Sequence, residues 1–181
     1  NLGWTDVPLK QVLEDRLNIP VLVDNVASVS ALGESTFGAA QNRSVVLYLS
    51  TQGGLGGRIV THGQILRGAS GFAGEVGHMT VADGVRRCNC GRVGCWETFA
   101  SQMALLRDVS ERLEAGEPSL LRDMAPDPLQ LTVAMVAEAA DRGDELARSA
   151  LSNVGHWLGI GLASLINMLN PDLVVIGGSL S

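Results

Sequence analysis

Three cysteines lie within eight residues of one another near the middle of this sequence, as Cys88, Cys90 and Cys95. An odd number of thiols cannot pair off completely in disulfides, and Cys88 and Cys90 are too close along the chain to bond comfortably to each other. Gly91 and Gly94 lie between the thiols and let the backbone turn sharply enough for three thiolates to converge. The spacing therefore predicts a metal site rather than a disulfide framework.

Zinc is the metal that suits these donors, because it takes four soft or borderline ligands in a tetrahedron. A fourth ligand is needed, and His78 lies ten residues before Cys88 in the same irregular stretch. The other histidines, His62 and His156, fall in a hairpin and inside a long helix. A closed site of four protein ligands leaves no position for water, so the zinc should be structural. Its expected ligands are His78, Cys88, Cys90 and Cys95. The alternative is a cluster of redox-active or buried thiols.

Short apolar runs bounded by turn residues predict the strands that support this cluster. The predicted buried strands are residues 21–23, 45–49, 59–61, 65–66 and 173–176. A glycine-rich turn at 53–57 joins the second strand to the third, and His62-Gly63 forms the hairpin into the fourth. Residues 68–92, which hold most of the cluster, are predicted to be irregular.

Apolar residues that recur at steps of three and four predict helices on both sides of the cluster. The predicted helices are one that is capped by Asp6 and ends at Leu17, and those at 26–37, 97–113, 129–140 and 144–169. In the second helix, Val29, Leu32 and Phe37 are predicted to face inward. Strands, then helices, then a closing strand are typical of an α/β or α+β domain.

Composition limits the classes of protein to which the chain can belong. It has 181 residues, of which 46% are hydrophobic and 18% charged, so it can bury a sizeable core. The net charge of −6 argues against a broad surface for binding nucleic acid. The longest apolar stretch, 157–169, is shorter than the roughly 20 residues of a membrane span, so we expect a soluble, cytoplasmic protein. The abrupt ends, at Asn1 and just after Gly177-Gly178, indicate a piece of a longer protein.

The cysteines belong to a longer pattern. It reads Gly74-Glu75-Val76-Gly77-His78, then Cys88-x-Cys90-Gly91-x-x-Gly94-Cys95-x-Glu97-x-x-x-Ser101. This joint pattern closely resembles the signature of the ROK family, which groups bacterial sugar kinases with sugar-responsive transcriptional repressors. The resemblance extends over nearly the whole chain, from Pro20, Val21 and Asn25 to the closing Pro171-Asp172-x-Val-Val-x-Gly177-Gly178.

The resemblance implies a fold and a division of the protein into parts. The implied fold is actin-like (ribonuclease H-like) α/β, with two lobes around a cleft. Residues 1–181 would then be a partial sugar-binding domain, mainly the second lobe, with a small zinc-bound loop at 75–97. The first lobe and its phosphate loop would precede Asn1, and in repressors a winged helix-turn-helix would precede that lobe. Family members are commonly dimers or tetramers, so we expect a homodimer or homotetramer.

The resemblance also implies a set of sugar contacts. These fall on Asn25, Glu75, His78 and Glu97. Carboxylates suit this role because they accept charge-assisted hydrogen bonds from sugar hydroxyl groups. His78 would serve both sites, with one ring nitrogen on zinc and the other on a hydroxyl, so that the metal fixes its tautomer and orientation. The zinc would also fold the loop so that Glu75 and Glu97 reach one ligand.

The chain departs from the kinases of this family at the catalytic base. Those kinases have Asn-Asp after the early strand, and the Asp takes the proton from the sugar hydroxyl. Here Asn25 is followed by Val26, which cannot accept a proton. Loss of a general base costs about 10²- to 10⁴-fold in rate. We therefore assign no catalytic residue, and the alternative base is Asp24.

The glycine-rich turn departs from the kinases as well. They favour Gly-Thr-Gly-x-Gly-x-Gly, whose backbone N–H groups and hydroxyl face the nucleotide phosphates. The corresponding residues here are Gln52-Gly53-Gly54-Leu55-Gly56-Gly57-Arg58. Glycines alone are a weak indication of a phosphate site, and a plain hairpin turn is the alternative. Arg58 could pair with a phosphate or fill the space of a nucleotide, and we favour the second.

The sequence thus leads to one main hypothesis about function and two alternatives. The main hypothesis is the sugar-binding effector domain of a ROK-family repressor, without kinase activity, whose operator DNA is bound by an N-terminal domain. The first alternative is a glucokinase-like sugar kinase that uses ATP and magnesium with Asp24. The second is a zinc module that binds nucleic acid through Arg86, Arg87 and Arg92, which the net charge disfavours.

Overall fold

A mixed four-stranded sheet lies at the centre of the computed structural model, which describes residues 4–84 and 86–181. The strands are β1 (Val45–Ser50), β2 (Gly56–Thr61), β3 (Gln64–Ile65) and β4 (Leu173–Gly177). The helices are α1 (Leu9–Leu17), α2 (Val26–Phe37), α3 (Gln102–Glu114), α4 (Leu121–Met124), α5 (Val133–Asp141) and α6 (Glu145–Leu169). Short 3₁₀ helices cover Val76–His78, Trp96–Thr98 and Pro128–Gln130. The α/β class predicted from the sequence is confirmed.

The sheet order is β3-β2-β1-β4, with β1 antiparallel to β2 and parallel to β4. Because side chains alternate across a strand, β1 faces two different cores. Val46 and Tyr48 pack with the small residues of α2. Leu47 and Leu49 pack on the other face against Trp96 and the long helix α6. The central strand therefore connects α2 to the loop that contains the cysteines.

The loop after Cys95 is held in place by the long helix α6. Trp96 is fully buried, and its Nε1 donates a hydrogen bond to the carbonyl of Trp157 at 2.7 Å. Gly161 makes room for the indole ring, because a Cβ at this position would overlap it. Asp144 caps the start of α6 by accepting a hydrogen bond from the Ala147 N–H at 2.8 Å. None of the helices in the described ranges is both long and apolar enough to cross a membrane.

The helical part of the molecule forms a third core behind the cysteine loop. Its buried residues include Leu105, Val109, Leu121, Val136 and Leu146. It fixes α3, which begins directly after the loop and is capped by Ser101, whose hydroxyl accepts from the Ala104 N–H at 3.1 Å. The loop therefore lies between this helical core and the core that contains Trp96.

Several predicted elements differ from the structure. Residues 21–23 are not a buried strand: they belong to no strand of the described sheet, and Leu22 is 96% exposed. Three consecutive apolar residues have no period, so the sequence could not separate a strand from an exposed connection. Asp6 does not cap α1, because it lies outside the helix with a φ of 51°. The helices predicted from 97 and 129 begin later, after 3₁₀ turns.

The inward face predicted for α2 is also wrong. Val29 and Phe37 are 56% and 85% exposed, whereas Ala27, Ser28 and Ala31 are buried. Small side chains let the helix approach the sheet closely, and this packing outweighs the burial of larger residues on the opposite face. Leu32 is half-buried.

Candidate functional site

The structure brings the four predicted metal ligands together. One donor atom from each of His78, Cys88, Cys90 and Cys95 lies within 4.8 Å of all the others. Cys88 Sγ is 3.6 Å from His78 Nδ1, and Cys90 Sγ is 3.6 Å from Cys95 Sγ. A tetrahedral zinc ion with Zn–S bonds of about 2.3 Å places two sulfurs about 3.8 Å apart. The donors and their spacing therefore fit a zinc ion. The identity of the metal as zinc stays a prediction.

Turns and short bridges shape the loop around these donors. Arg87 and Val93 form an isolated antiparallel bridge, and Gly91 N–H donates to the Cys88 carbonyl at 2.9 Å. Gly94 has a φ of 80°, and a Cβ at this position would overlap the carbonyl of Ala82. Only glycine fits such a position without strain. The spacing of the two glycines therefore serves the convergence of the thiols, as the sequence predicts.

The environment sets the protonation of the thiols. Burial raises the pKa of Cys88 to about 12, and burial also raises the pKa of Cys95. The pKa of Cys90 is lowered, mainly because the backbone N–H of Arg92 donates to its sulfur. A metal cation binds thiolates, so it would release the protons that burial retains. Metal binding at this group is therefore expected to weaken as the pH falls.

Glu97 borders the metal-binding group. Its Oε1 lies 2.8 Å from Cys88 Sγ and 3.5 Å from His78 Nδ1. The Nδ1 atom of His78 consequently faces the thiols, which leaves Nε2 as the ring nitrogen for a ligand. Gly54 lies against the same carboxylate, because a Cβ there would be 2.8 Å from Oε2.

Glu75 is paired with Arg58, a contact that the sequence analysis missed. The guanidinium of Arg58 lies 2.9 Å from Glu75 Oε1. It also donates to Ser28 Oγ at 2.9 Å and to the Gly57 carbonyl at 2.6 Å. Arg58 is only 5% exposed, so its charge is engaged inside the protein. The bulky cation in place of a glycine, on a strand otherwise rich in apolar residues, was the available signal for such a pair.

Gly57 allows the 53–57 turn to pack directly on the segment 74–77. A Cβ on Gly57 would overlap the side chain of Val76, and a Cβ on Gly77 would overlap the carbonyl of Leu55. Gly74 has a φ of 89°, and a Cβ there would lie 2.9 Å from the Gly57 carbonyl. Close packing therefore accounts for Gly57, Gly74 and Gly77, in agreement with the hairpin alternative.

The residues before α2 are held by local contacts. Asn25 caps the helix, with Oδ1 accepting from the Ala27 N–H at 2.9 Å. Asp24 forms an ion pair with Arg67 at 2.5 Å, and this hydrogen-bonded pairing holds the pKa of Asp24 below its ordinary value. Val26, which the resemblance aligns with the kinases' base, is 70% exposed.

The predicted ligand contacts are brought together in part. Glu75 and His78 line one open cavity of about 500 Å³, together with Met79, Cys90 and Arg92. Glu97 lines a neighbouring cavity of about 120 Å³, and it meets His78 beside the metal-binding group. Asn25 is linked to Glu75 only indirectly, because Ser28 in the same helix contacts Arg58.

Comparison with known proteins places this geometry in a family. The whole chain, residues 1–181, matches the ROK family. It is 42% identical over 183 residues to a putative xylose repressor of Caldicellulosiruptor sp. (strain Rt8B.4), and this match covers 100% of the chain and 45% of the repressor. It is 43% identical over 183 residues to a glucokinase of Halalkalibacterium halodurans, and this match covers 100% of the chain and 55% of the glucokinase.

A solved structure agrees in fold. The ROK glucokinase of Streptomyces griseus, crystallised with glucose and AMPPNP, superposes with a TM-score of 0.85 and 34% identity. The match covers 98% of this chain and 58% of that one. The chain thus spans about half the length of the relatives it matches. From the match over its full length and the identity to curated members, the chain belongs to the ROK family.

Proposed function

We propose that the chain is the sugar-binding effector domain of a ROK-family transcriptional repressor, and that it does not transfer phosphate. The observation that carries the second part is Val26. It holds the position of the base in the family's kinases, and its side chain has no lone pair with which to accept a proton. Identity alone does not decide the matter, because a repressor and a glucokinase match almost equally well.

Asp24 is a poor substitute for that base. Its carboxylate is engaged by Arg67, and the pairing lowers its pKa. A general base is most effective when its pKa lies near the working pH, so a carboxylate with a lowered pKa accepts a proton less readily. This ion pair therefore supports the repressor over the kinase.

In the glycine-rich turn, the backbone N–H of Gly53 is already engaged within the protein. Gly53, which stands where the kinases have Thr, directs its N–H to Gln102 Oε1 at 3.3 Å. The same oxygen accepts from Ser179 Oγ at 2.9 Å. A phosphate at Gly53 would have to displace the Gln102 side chain. With Gln52 and Arg58 in place of the outer glycines, the turn is better suited to packing than to holding a nucleotide.

The proposed sugar site consists of four side chains next to a structural zinc. The sugar contacts are Asn25, Glu75, His78 and Glu97, and the zinc ligands are His78, Cys88, Cys90 and Cys95. The Nδ1 of His78 would bind the metal and Nε2 a sugar hydroxyl, in keeping with the side of the ring that faces Cys88. When bound, the zinc supplies folding energy to the loop and takes no part in chemistry.

The complete protein would contain more than this chain. In this proposal residues 1–181 form mainly the second lobe of an actin-like domain. The protein assembles as a homodimer or homotetramer, and an N-terminal helix-turn-helix of each subunit binds operator DNA. A two-fold operator requires at least a dimer. Sugar would release the DNA by binding more tightly to one arrangement of the lobes. The competing candidate is a sugar kinase with ATP and magnesium, and the observation in its support is the 43% identity to a glucokinase.

Titration calorimetry and a coupled phosphorylation assay on the intact protein test this proposal. The names of the relatives make xylose and glucose the first sugars to try, each with and without ATP and magnesium. We expect heat of binding for at least one sugar and no ATP-dependent phosphorylation above the signal without enzyme. Turnover of about 1 s⁻¹ or more, the low end for enzymes, would establish the kinase instead. Val26→Asp is the matched variant, and it should restore little activity because the glycine-rich turn is unchanged.

A further inference from the structure

Arg58 is a buried charge on the second strand of the sheet. Its relative exposure is 5%, although a guanidinium retains its charge at all ordinary pH values. Burial of a charge is unfavourable unless the charge is paired and hydrogen-bonded. Within residues 4–84 and 86–181, the carboxylate that pairs with it is that of Glu75. The fold therefore places a permanent cation directly behind a side chain of the proposed sugar site.

The contacts of Arg58 leave it little freedom. Nε donates a hydrogen bond to Ser28 Oγ, Nη1 donates one to the Gly57 carbonyl, and Nη2 forms an ion pair with Glu75 Oε1. Ser28 is itself 2% exposed and lies three residues after Asn25 in the first turn of α2. The planar guanidinium thus joins three segments: its own strand, the start of α2 and the loop at 74–78. A lysine ammonium carries the charge but not this fixed fork of donors.

Glu75 is held at one oxygen and open at the other. Its side chain is 39% exposed and faces the 500 Å³ cavity that it shares with His78. Oε1 receives the guanidinium, and across the described part of the chain Oε2 has no hydrogen-bond partner. An otherwise flexible side chain is therefore already ordered, and less conformational entropy is lost when a ligand binds.

We propose that Arg58 is a positioning residue for the sugar site: it holds Glu75 by Oε1 and presents Oε2 to one hydroxyl of the ligand. It also fixes the distance between Glu75 and the start of α2, where Asn25 lies. This inference rests on the proposed sugar site and adds to it a residue that touches no sugar. It gives Arg58 a role on the sugar side of the domain rather than the phosphate side.

The test is titration calorimetry of the intact protein with the sugar that binds best and with each of its monodeoxy analogues. Arg58→Met, Arg58→Lys and Glu75→Gln are compared with wild type. We expect Arg58→Met to weaken binding of the parent sugar about tenfold or more, the effect of one lost charged hydrogen bond. One monodeoxy analogue should lack the hydroxyl that Glu75 contacts, and it is recognised because wild type and Glu75→Gln bind it with equal affinity. Arg58→Met should bind this analogue as tightly as wild type does. Arg58→Lys should recover part of the loss.

The control is Arg112→Met, which removes a different arginine–glutamate pair, with Glu117, from the helical core. It should leave the pattern across the analogues as in wild type. Equal weakening of all analogues by Arg58→Met, or no weakening of any, would overturn the inference. If Arg58→Met does not fold, the same comparison with Arg58→Lys decides it. If wild type binds no sugar of the panel, both the proposed function and this inference are refuted. If wild type binds a sugar but the Arg58 variants bind it equally well, only the inference is refuted.

Discussion

The thiol of Cys88 donates a hydrogen bond to the carboxylate of Glu97 across 2.8 Å. One residue of this pair is a predicted metal ligand and the other a predicted sugar contact. A thiol that binds a metal loses its proton, so this hydrogen bond cannot persist when the metal is present. The carboxylate would then be free to turn toward another donor. Metal and sugar are therefore expected to depend on each other through this contact.

The first prediction concerns metal content. Purified, chelator-washed protein should carry about one zinc per chain by elemental analysis, in keeping with a single four-ligand site. Cys90→Ser should lower both the zinc content and the melting temperature, because binding of a structural metal is largely folding free energy. Asn89→Ser, an exposed neighbour that offers no ligand, is the matched control and should change neither. Washed protein without zinc and with an unchanged melting temperature would show that the site assignment is wrong.

The second prediction concerns coupling between the two sites. Removal of zinc with a strong chelator should weaken sugar binding, because His78 and Glu97 both border the metal-binding group. Thermodynamic linkage requires the reverse effect of the same size, so saturating sugar should tighten zinc binding by an equal factor. Calorimetry of sugar binding with and without zinc, and zinc competition with and without sugar, measure the two factors. Equal sugar affinity in zinc-loaded and zinc-free protein would contradict the coupling.

The third prediction separates the two acidic residues of the site. Glu97→Gln should weaken sugar binding by about 1.5–3 kcal/mol, as expected for lost charged hydrogen bonds, with little loss of stability. Glu75→Ala should weaken binding and also destabilise the fold by about 2–3 kcal/mol, because it leaves the buried guanidinium of Arg58 without its carboxylate. Chemical denaturation measures the second effect. An equal free energy of unfolding in Glu75→Ala and wild type would count against a stabilising Arg58–Glu75 pair.

The fourth prediction concerns Asp24. Its pKa should lie below 3.8 in the native protein, chiefly because Arg67 donates a hydrogen bond to it. The native pKa is lower than the pKa in the unfolded chain. The pair therefore stabilises the fold fully at pH values above the unfolded pKa, and this contribution is lost as the pH falls through the native pKa. Carbon-detected NMR titration of the carboxyl group in wild type and Arg67→Met checks this, and the midpoint should rise in the variant. Arg142→Met, which removes an exposed pair with Glu138, should leave it unchanged.

Local patterns predicted much of this molecule because the causes are local. The convergence of three thiols follows from their spacing and from two glycines, and the long helix α6 follows from its apolar period. Most sheet strands and the hairpin at His62-Gly63 also match the prediction. These features need only a few consecutive residues to be specified, so a single sequence is enough.

The parts that were missed depend on contacts between distant segments. Arg58 and Glu75 are 17 positions apart in the sequence, and the cation on an apolar strand indicates that Arg58 needs a partner but not which residue it is. The buried face of α2 was mistaken for the same reason, since close approach to the sheet selected Ala27 and Ala31 over the larger Val29 and Phe37. Tertiary packing decides such cases, and periodicity carries no information about it.

The contact between the glycine-rich turn and segment 74–77 has a consequence for how such sequences evolve. Gly57 and Gly77 are sterically required whether or not a nucleotide ever binds, because a side chain at either position would collide with the opposing segment. A lineage that stopped using ATP would be free to replace the hydroxyl and the outer glycines, as at Gly53 and Arg58. It would have to keep Gly57, which packs on the segment that contains Gly77. Gly57 would then still resemble part of a nucleotide motif after selection for the nucleotide had ended.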